Sequence, residues 1–150
     1  MTSQALALQD AAFLAGMPRK NKWGKKAFSV KTEVKRVKWH NPRTNESGTY
    51  SEYGDAMLSD NLYRELTPAQ MIEIARGIAR AGFSASVYIK EQEEDDGRPA
   101  YAHLIASTGW RTEGELDIAT VRDGTVYRER ETVEINEELK AQAWKRANER

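Results

Sequence analysis

Two histidines, His40 and His103, and no cysteine make up the chain's sparse stock of readily reactive side chains. Without cysteine there is no thiolate zinc site, iron–sulfur cluster, disulfide scaffold or cysteine nucleophile. The histidines are far apart in sequence, so a zinc site would have to rest on carboxylates. His103 stands between Ala102 and Leu104 in an alternating stretch and reads as a packed or surface residue. His40, beside Trp39 and Asn41 in an expected turn, reads as facing water. No glycine-rich phosphate cradle, G-x-S-x-G, H-E-x-x-H or calcium-loop pattern occurs, since Gly109, Trp110 and Gly114 only bracket a loop. Carboxylates such as Glu113 and Asp117 belong to so large a set that a solvated surface accounts for them. No catalytic residue, metal or cofactor is expected, and an enzyme ranks last among the readings.

Charge says more. Lys and Arg total 23, as do Asp and Glu, for a formal net charge of zero. Yet residues 18–43 hold ten basic side chains against Glu33 alone, a local charge of +9, leaving the rest at −9. Such segregation points to an electrostatic role. Trp23, Phe28 and Trp39 interleave these cations, so the window offers both phosphate neutralisation and flat surfaces for stacking bases. The candidate nucleic-acid-binding residues are Arg19, Lys20, Lys22, Trp23, Lys25, Lys26, Lys35, Arg36, Lys38, Trp39 and Arg43, with RNA or DNA as the partner. A plainer alternative makes Phe28 and Trp39 core residues and the lysines a guard against edge-strand aggregation. A rival function is a small inhibitor or adaptor, of phage or mobile-element type, that docks on a larger protein complex through charged faces. There the acidic run Glu93, Glu94, Asp95 and Asp96 counts as much as the basic window, and opposed potentials also allow a homo-oligomer.

The elements that must position these residues follow from periodicity. Residues 3–17 are alanine-rich, with Leu6, Phe13, Leu14 and Met17 near one helical stripe, and Gly16 and Pro18 end a short helix. Residues 28–39 alternate β-branched and charged side chains with a slip near Arg36, predicting one strand with a bulge and a partner at 49–53. Residues 54–66 read as irregular. Thr67-Pro68 opens a helix over about 67–81, where Met71, Ile72, Ala75, Ile78 and Ala79 recur at helical spacing. Residues 83–89 and 100–107 predict one hairpin with the acidic run at its tip. Residues 116–121 and 126–135 predict another around Asp123-Gly124, the pair best suited to a type I′ turn. Asn136 caps a final helix over about 136–148, with Leu139, Ala143 and Ala147 on one face and Trp144 beside it.

This order predicts an α+β fold: an antiparallel sheet built from hairpins, with the central and C-terminal helices packed on one face and a short N-terminal helix. The expected core holds Ile72, Ala75, Ile78, Phe83, Val87, Ile89, Leu104, Leu116 and Ile118. One domain over 1–150, with a less ordered basic region at about 1–43, fits the length. No apolar run approaches the ~20 residues of a membrane helix. The mildly apolar start lacks preceding basic residues and is followed by a basic segment, the reverse of a secretory signal, so the cytoplasm is the expected compartment.

Overall fold

The computed structural model describes residues 2–32, 36–51, 56–92, 97, 99–108 and 114–148; the side chains of Arg36, Tyr50, Ser51, Arg146, Ala147 and Asn148 lie outside that description. The acidic run at 93–96, Lys35, Gly109, Trp110 and Glu113 fall outside the described residues. The elements are α1 (Ser3–Leu14), β1 (Phe28–Lys31), β2 (Arg36–Asn41), β3 (Glu46–Ser51), β4 (Met57–Asp60), α2 (Pro68–Arg80), β5 (Ser84–Lys90), β6 (Tyr101–Ser107), β7 (Gly114–Arg122), β8 (Thr125–Val133) and α3 (Glu137–Asn148). Six strands form one sheet in the order β1-β4-β6-β5-β7-β8, while β2 and β3 form a separate hairpin. The fold is α+β, with the helices packed against a mostly antiparallel sheet.

Local chemistry sets most boundaries. Thr67 caps α2 with a full capping box, its hydroxyl accepting from Gln70 N–H while the Gln70 side chain accepts from Thr67 N–H. Asn136 caps α3 by accepting from Leu139 N–H at 3.0 Å. Asp123 and Gly124 both take positive φ, 50° and 77°, as a type I′ hairpin turn requires.

Several expectations are corrected. The strand expected over 28–39 is two: β1 pairs with β4 in the main sheet, while β2 pairs with β3. Phe28 buries itself in the core and Val30 packs on it, which draws β1 away from the exposed hairpin. Residues 57–60, expected to be irregular, form β4 between β1 and β6, a strand too short for its alternation to stand out. The sheet is not wholly antiparallel, because the β7–β8 hairpin lies beyond β5 and β7 runs parallel to β5, Val87 opposite Ile118. His40 belongs to β2, opposite Ser47, rather than to a turn.

The apolar side of the sheet is Ala85, Val87 and Ile89 on β5, Ala102, Leu104 and Ala106 on β6, Leu58 and Leu116, all buried. Onto it α2 packs Met71, Ile74, Ala75 and Ile78. Ile72 and Ile118, expected to be buried, are half-buried against this cluster. Phe83 stacks on Trp144 of α3 at 6.3 Å between ring centres. The N-terminal region is where the core begins: Ala5, Ala7, Leu8, Ala11 and Ala12 of α1 are buried around the helix, not along one stripe, because alanine lets α2 and α3 approach closely. Leu14, placed on the expected stripe, is exposed. At the α1–α2 contact a Cβ on Gly77 would come within 2.7 Å of the Ala15 Cβ. Where α2 ends over β7, a Cβ on Gly114 would lie 2.1 Å from the Ala79 carbonyl oxygen.

Fully buried Ile78 anchors α2 to the sheet, so Ile78→Ala is expected to cost ~2–5 kcal/mol in chemical denaturation. A loss under ~1 kcal/mol would show that this face is not packed as described.

Candidate functional site

The chain leaves α1 through Gly16 and buried Met17 and closes residues 19–26 into a compact loop. Lys20 bridges Lys26, Ala27 N–H donates to Arg19 carbonyl oxygen at 3.2 Å, and Asn21 N–H donates to Lys25 carbonyl oxygen at 2.7 Å. The loop turns about Asn21, a buried polar side chain. Its Oδ1 accepts from Trp23 N–H at 2.9 Å and Lys25 N–H at 3.1 Å, and its Nδ2 donates to Asn61 carbonyl oxygen at 3.0 Å. Asn61 returns the contact, donating from Nδ2 to Lys26 carbonyl oxygen at 3.3 Å and from its N–H to Ala27 carbonyl oxygen at 2.6 Å. Two asparagines thus clasp the basic loop to the end of β4. Glu65 adds an acceptor for Lys22 N–H.

What the clasp holds outward is Trp23, 56% exposed. Tyr63 meets it edge-on at 4.6 Å between centroids, and the Lys22 ammonium lies 4.4 Å over its ring. Trp23, Lys25 and Tyr63 line an open hollow of about 320 Å³. Arg19 and Lys26 meet on the other flank, where they line a cavity of about 340 Å³ with Phe13 and Phe28, and the Arg19 guanidinium sits 4.2 Å over Phe13.

The expected residues therefore divide. Arg19, Lys20, Lys22, Trp23, Lys25 and Lys26 come together on the loop, all exposed. Lys38, Trp39 and Arg43 are exposed on the separate β2–β3 hairpin, with the Trp39 ring lying across Gly48. Lys35 lies outside the described residues, and of Arg36 only the backbone is described. Phe28 is a core residue, as the plainer alternative had it, whereas Trp39 is not. Tyr63, which completes the aromatic pair, was missed in sequence, since a lone tyrosine 40 residues from Trp23 gives no periodic signal.

Electrostatics separate this loop from the acidic remainder. Among the described residues, none of the cations on 19–26 closes an ion pair. Elsewhere some arginines are spent internally: Arg76 pairs with Glu73 and Glu131, and Arg130 with Asp117 at 3.0 Å. Arg122 grips Glu91 with two bonds of 2.6 and 2.7 Å. That hydrogen bonding holds the Glu91 carboxyl below its ordinary value and raises the guanidinium, and Asp117 likewise raises Arg130. His103 is exposed, with Nδ1 3.2 Å from Oδ1 of Asp60, whose carboxylate also accepts from Leu104 N–H at 2.7 Å. Among the described residues no group of three or more His, Asp or Glu side chains is placed to hold a metal ion, and no helix is long and apolar enough to cross a membrane. Comparison with protein-family models, with curated proteins and with solved structures finds no match.

Asn21→Ala removes the acceptor for two loop N–H groups and the donor to Asn61, and is expected to cost ~1–3 kcal/mol in denaturant unfolding. A loss under ~0.5 kcal/mol would mean that the loop does not depend on this side chain.

Proposed function

We propose that this protein binds nucleic acid, RNA or DNA, through the loop at residues 19–26, acting as a binding protein rather than an enzyme. The observation that carries this reading is Trp23, held outward by the asparagine clasp among cations that have no ion-pair partner among the described residues. Phosphates meeting Lys20, Lys22, Lys25, Lys26 and Arg19 release condensed counterions, which supplies affinity whatever the sequence. A base stacked on the Trp23 ring adds a contact that salt does not screen. The clasp matters here, because a loop ordered before binding loses little conformational freedom on binding. Lys38, Trp39 and Arg43 offer a second, smaller set on the hairpin, and Lys35 and Arg36 join the proposal by charge alone.

One observation favours docking on a protein instead. The edge strand β8 is exposed along almost its whole length, with Val126 and Tyr127 each about half exposed, and an unpaired strand edge can add a partner's strand. Its alternating Arg128, Glu129, Arg130 and Glu131 guard against that pairing, so this reading ranks second.

Salt separates charge from stacking. Each phosphate contact contributes about 0.9 to the slope of log affinity against log salt on a duplex and about 0.7 on a single strand. Lys25→Ala with Lys26→Ala should therefore flatten that slope by about 2 or about 1.4 respectively. Trp23→Ala should cost ~1–3 kcal/mol at every salt concentration. If the unmodified protein shows no salt-dependent affinity for RNA or for single- or double-stranded DNA at low ionic strength, the proposal fails, and an acidic protein partner should be sought for the same lysines.

A further inference from the structure

The face of the main sheet opposite the helices carries an aromatic row that connects to the loop. Tyr63, against Trp23, is followed by Arg64, whose guanidinium lies 4.5 Å over the Tyr101 ring at the start of β6. Tyr101 meets His103 edge-on at 6.2 Å, and His103 stands opposite Tyr88 of β5. Tyr88 is 43% exposed, since the helices occupy the side to which Val87 and Ile89 point. Tyr63 and Arg64 both hold positive φ, 51° and 69°, a conformation that non-glycine residues rarely adopt and that tends to mark functional positions.

We infer that a bound strand continues from Trp23 across Arg64 onto this open face, so that the ligand is an unpaired strand of RNA or DNA whose bases lie on Tyr101, His103 and Tyr88. The inference rests on the nucleic-acid reading of the loop and adds the class of ligand. A duplex keeps its base faces stacked internally, whereas rings spread over a sheet offer platforms only to bases that are free. Charge along the sheet favours the same path. In the two rows through Tyr88 and Lys90, the paired positions are His103, Ala119 and Arg128, then Tyr101, Val121 and Val126, with two cations and no acid. Among the described residues, the strand carboxylates of this face, Glu115 and Asp117, stand in the other two rows, and Asp117 is tied to Arg130. The buried Asp60 carboxylate, 3.2 Å from Nδ1 of His103, positions that ring against the strand it crosses.

The test is an anisotropy titration of labelled oligo(U) and oligo(dT) of about 15 nucleotides, and of a duplex of equal length, with the full chain and its variants. Tyr88→Ala and Tyr101→Leu should each weaken single-strand binding roughly tenfold or more, and Tyr88→Phe, which keeps the stacking ring, should stay within about twofold of the parent. Loss with either polymer supports the path, and the tighter of the two identifies the natural strand. Duplex binding should be unmoved by the tyrosine substitutions. If Trp23→Ala weakens binding while Tyr88→Ala and Tyr101→Leu leave it within about twofold, the sheet path is wrong and the loop reading stands. If the parent protein binds none of the three probes, both fall together. A Tyr88→Phe loss as large as that of Tyr88→Ala would also overturn the path, because stacking would not be what the residue supplies.

Discussion

Everything in this molecule follows from burying one face of a six-stranded sheet and only one. Leu58, Ala85, Val87, Leu104 and Leu116 turn their side chains to the same side, and each is removed from water by α1 and α2. Three helices fit there because the contacts between them are made of small residues. Alanines surround α1, and Gly77 lets Ala15 sit where a larger residue on α2 would collide. Side chains alternate along a strand, so fixing Val87 and Ile89 inward commits Tyr88 and Lys90 to the other face. With the helices committed to one side, Tyr88, His103 and Ile105 on the other face are exposed.

The same arrangement anchors the basic loop. Between α1 and β1 the chain must cross the edge of the sheet, and it does so in a tight closure organised by Asn21 and Asn61 rather than in a slack linker. A buried amide is worth its desolvation only when its hydrogen bonds are made, and Asn21 makes three. The consequence is electrostatic. In the acidic remainder Arg122 and Arg130 sit against carboxylates, while the cations of the loop are turned outward together, so a chain of zero formal charge keeps a strongly positive corner.

Local rules were legible in the sequence wherever a residue type forces a backbone state. Thr67-Pro68, Asp123-Gly124 and Asn136 each marked a boundary that the fold keeps, and the alternation of residues 83–89 gave the inward face of β5. The basic, tryptophan-bearing character of residues 19–26 was legible as well. What escaped depends on pairing at a distance. β4 has four residues, too few for a period, and is a strand because β1 and β6 flank it. The parallel β5–β7 pair depends on which side of β5 the second hairpin takes, a choice that alternation within a strand does not encode. Nothing in the sequence singles out Asn21 until Asn61 comes beside it, or Tyr63 until it meets Trp23.

Whether loop and open face form one surface for nucleic acid is decided by a map of amide and indole resonances in isotopically labelled protein titrated with an unpaired oligonucleotide. The Trp23 indole, the amides of residues 20–26 and 62–65, and those of Tyr88, Tyr101 and His103 should shift together as one saturating event. Signals from Ile74, Ile78 and Ala143, which face the core, should hold still. Shifts confined to β8 or to the helices, or no shift at low ionic strength, would contradict it.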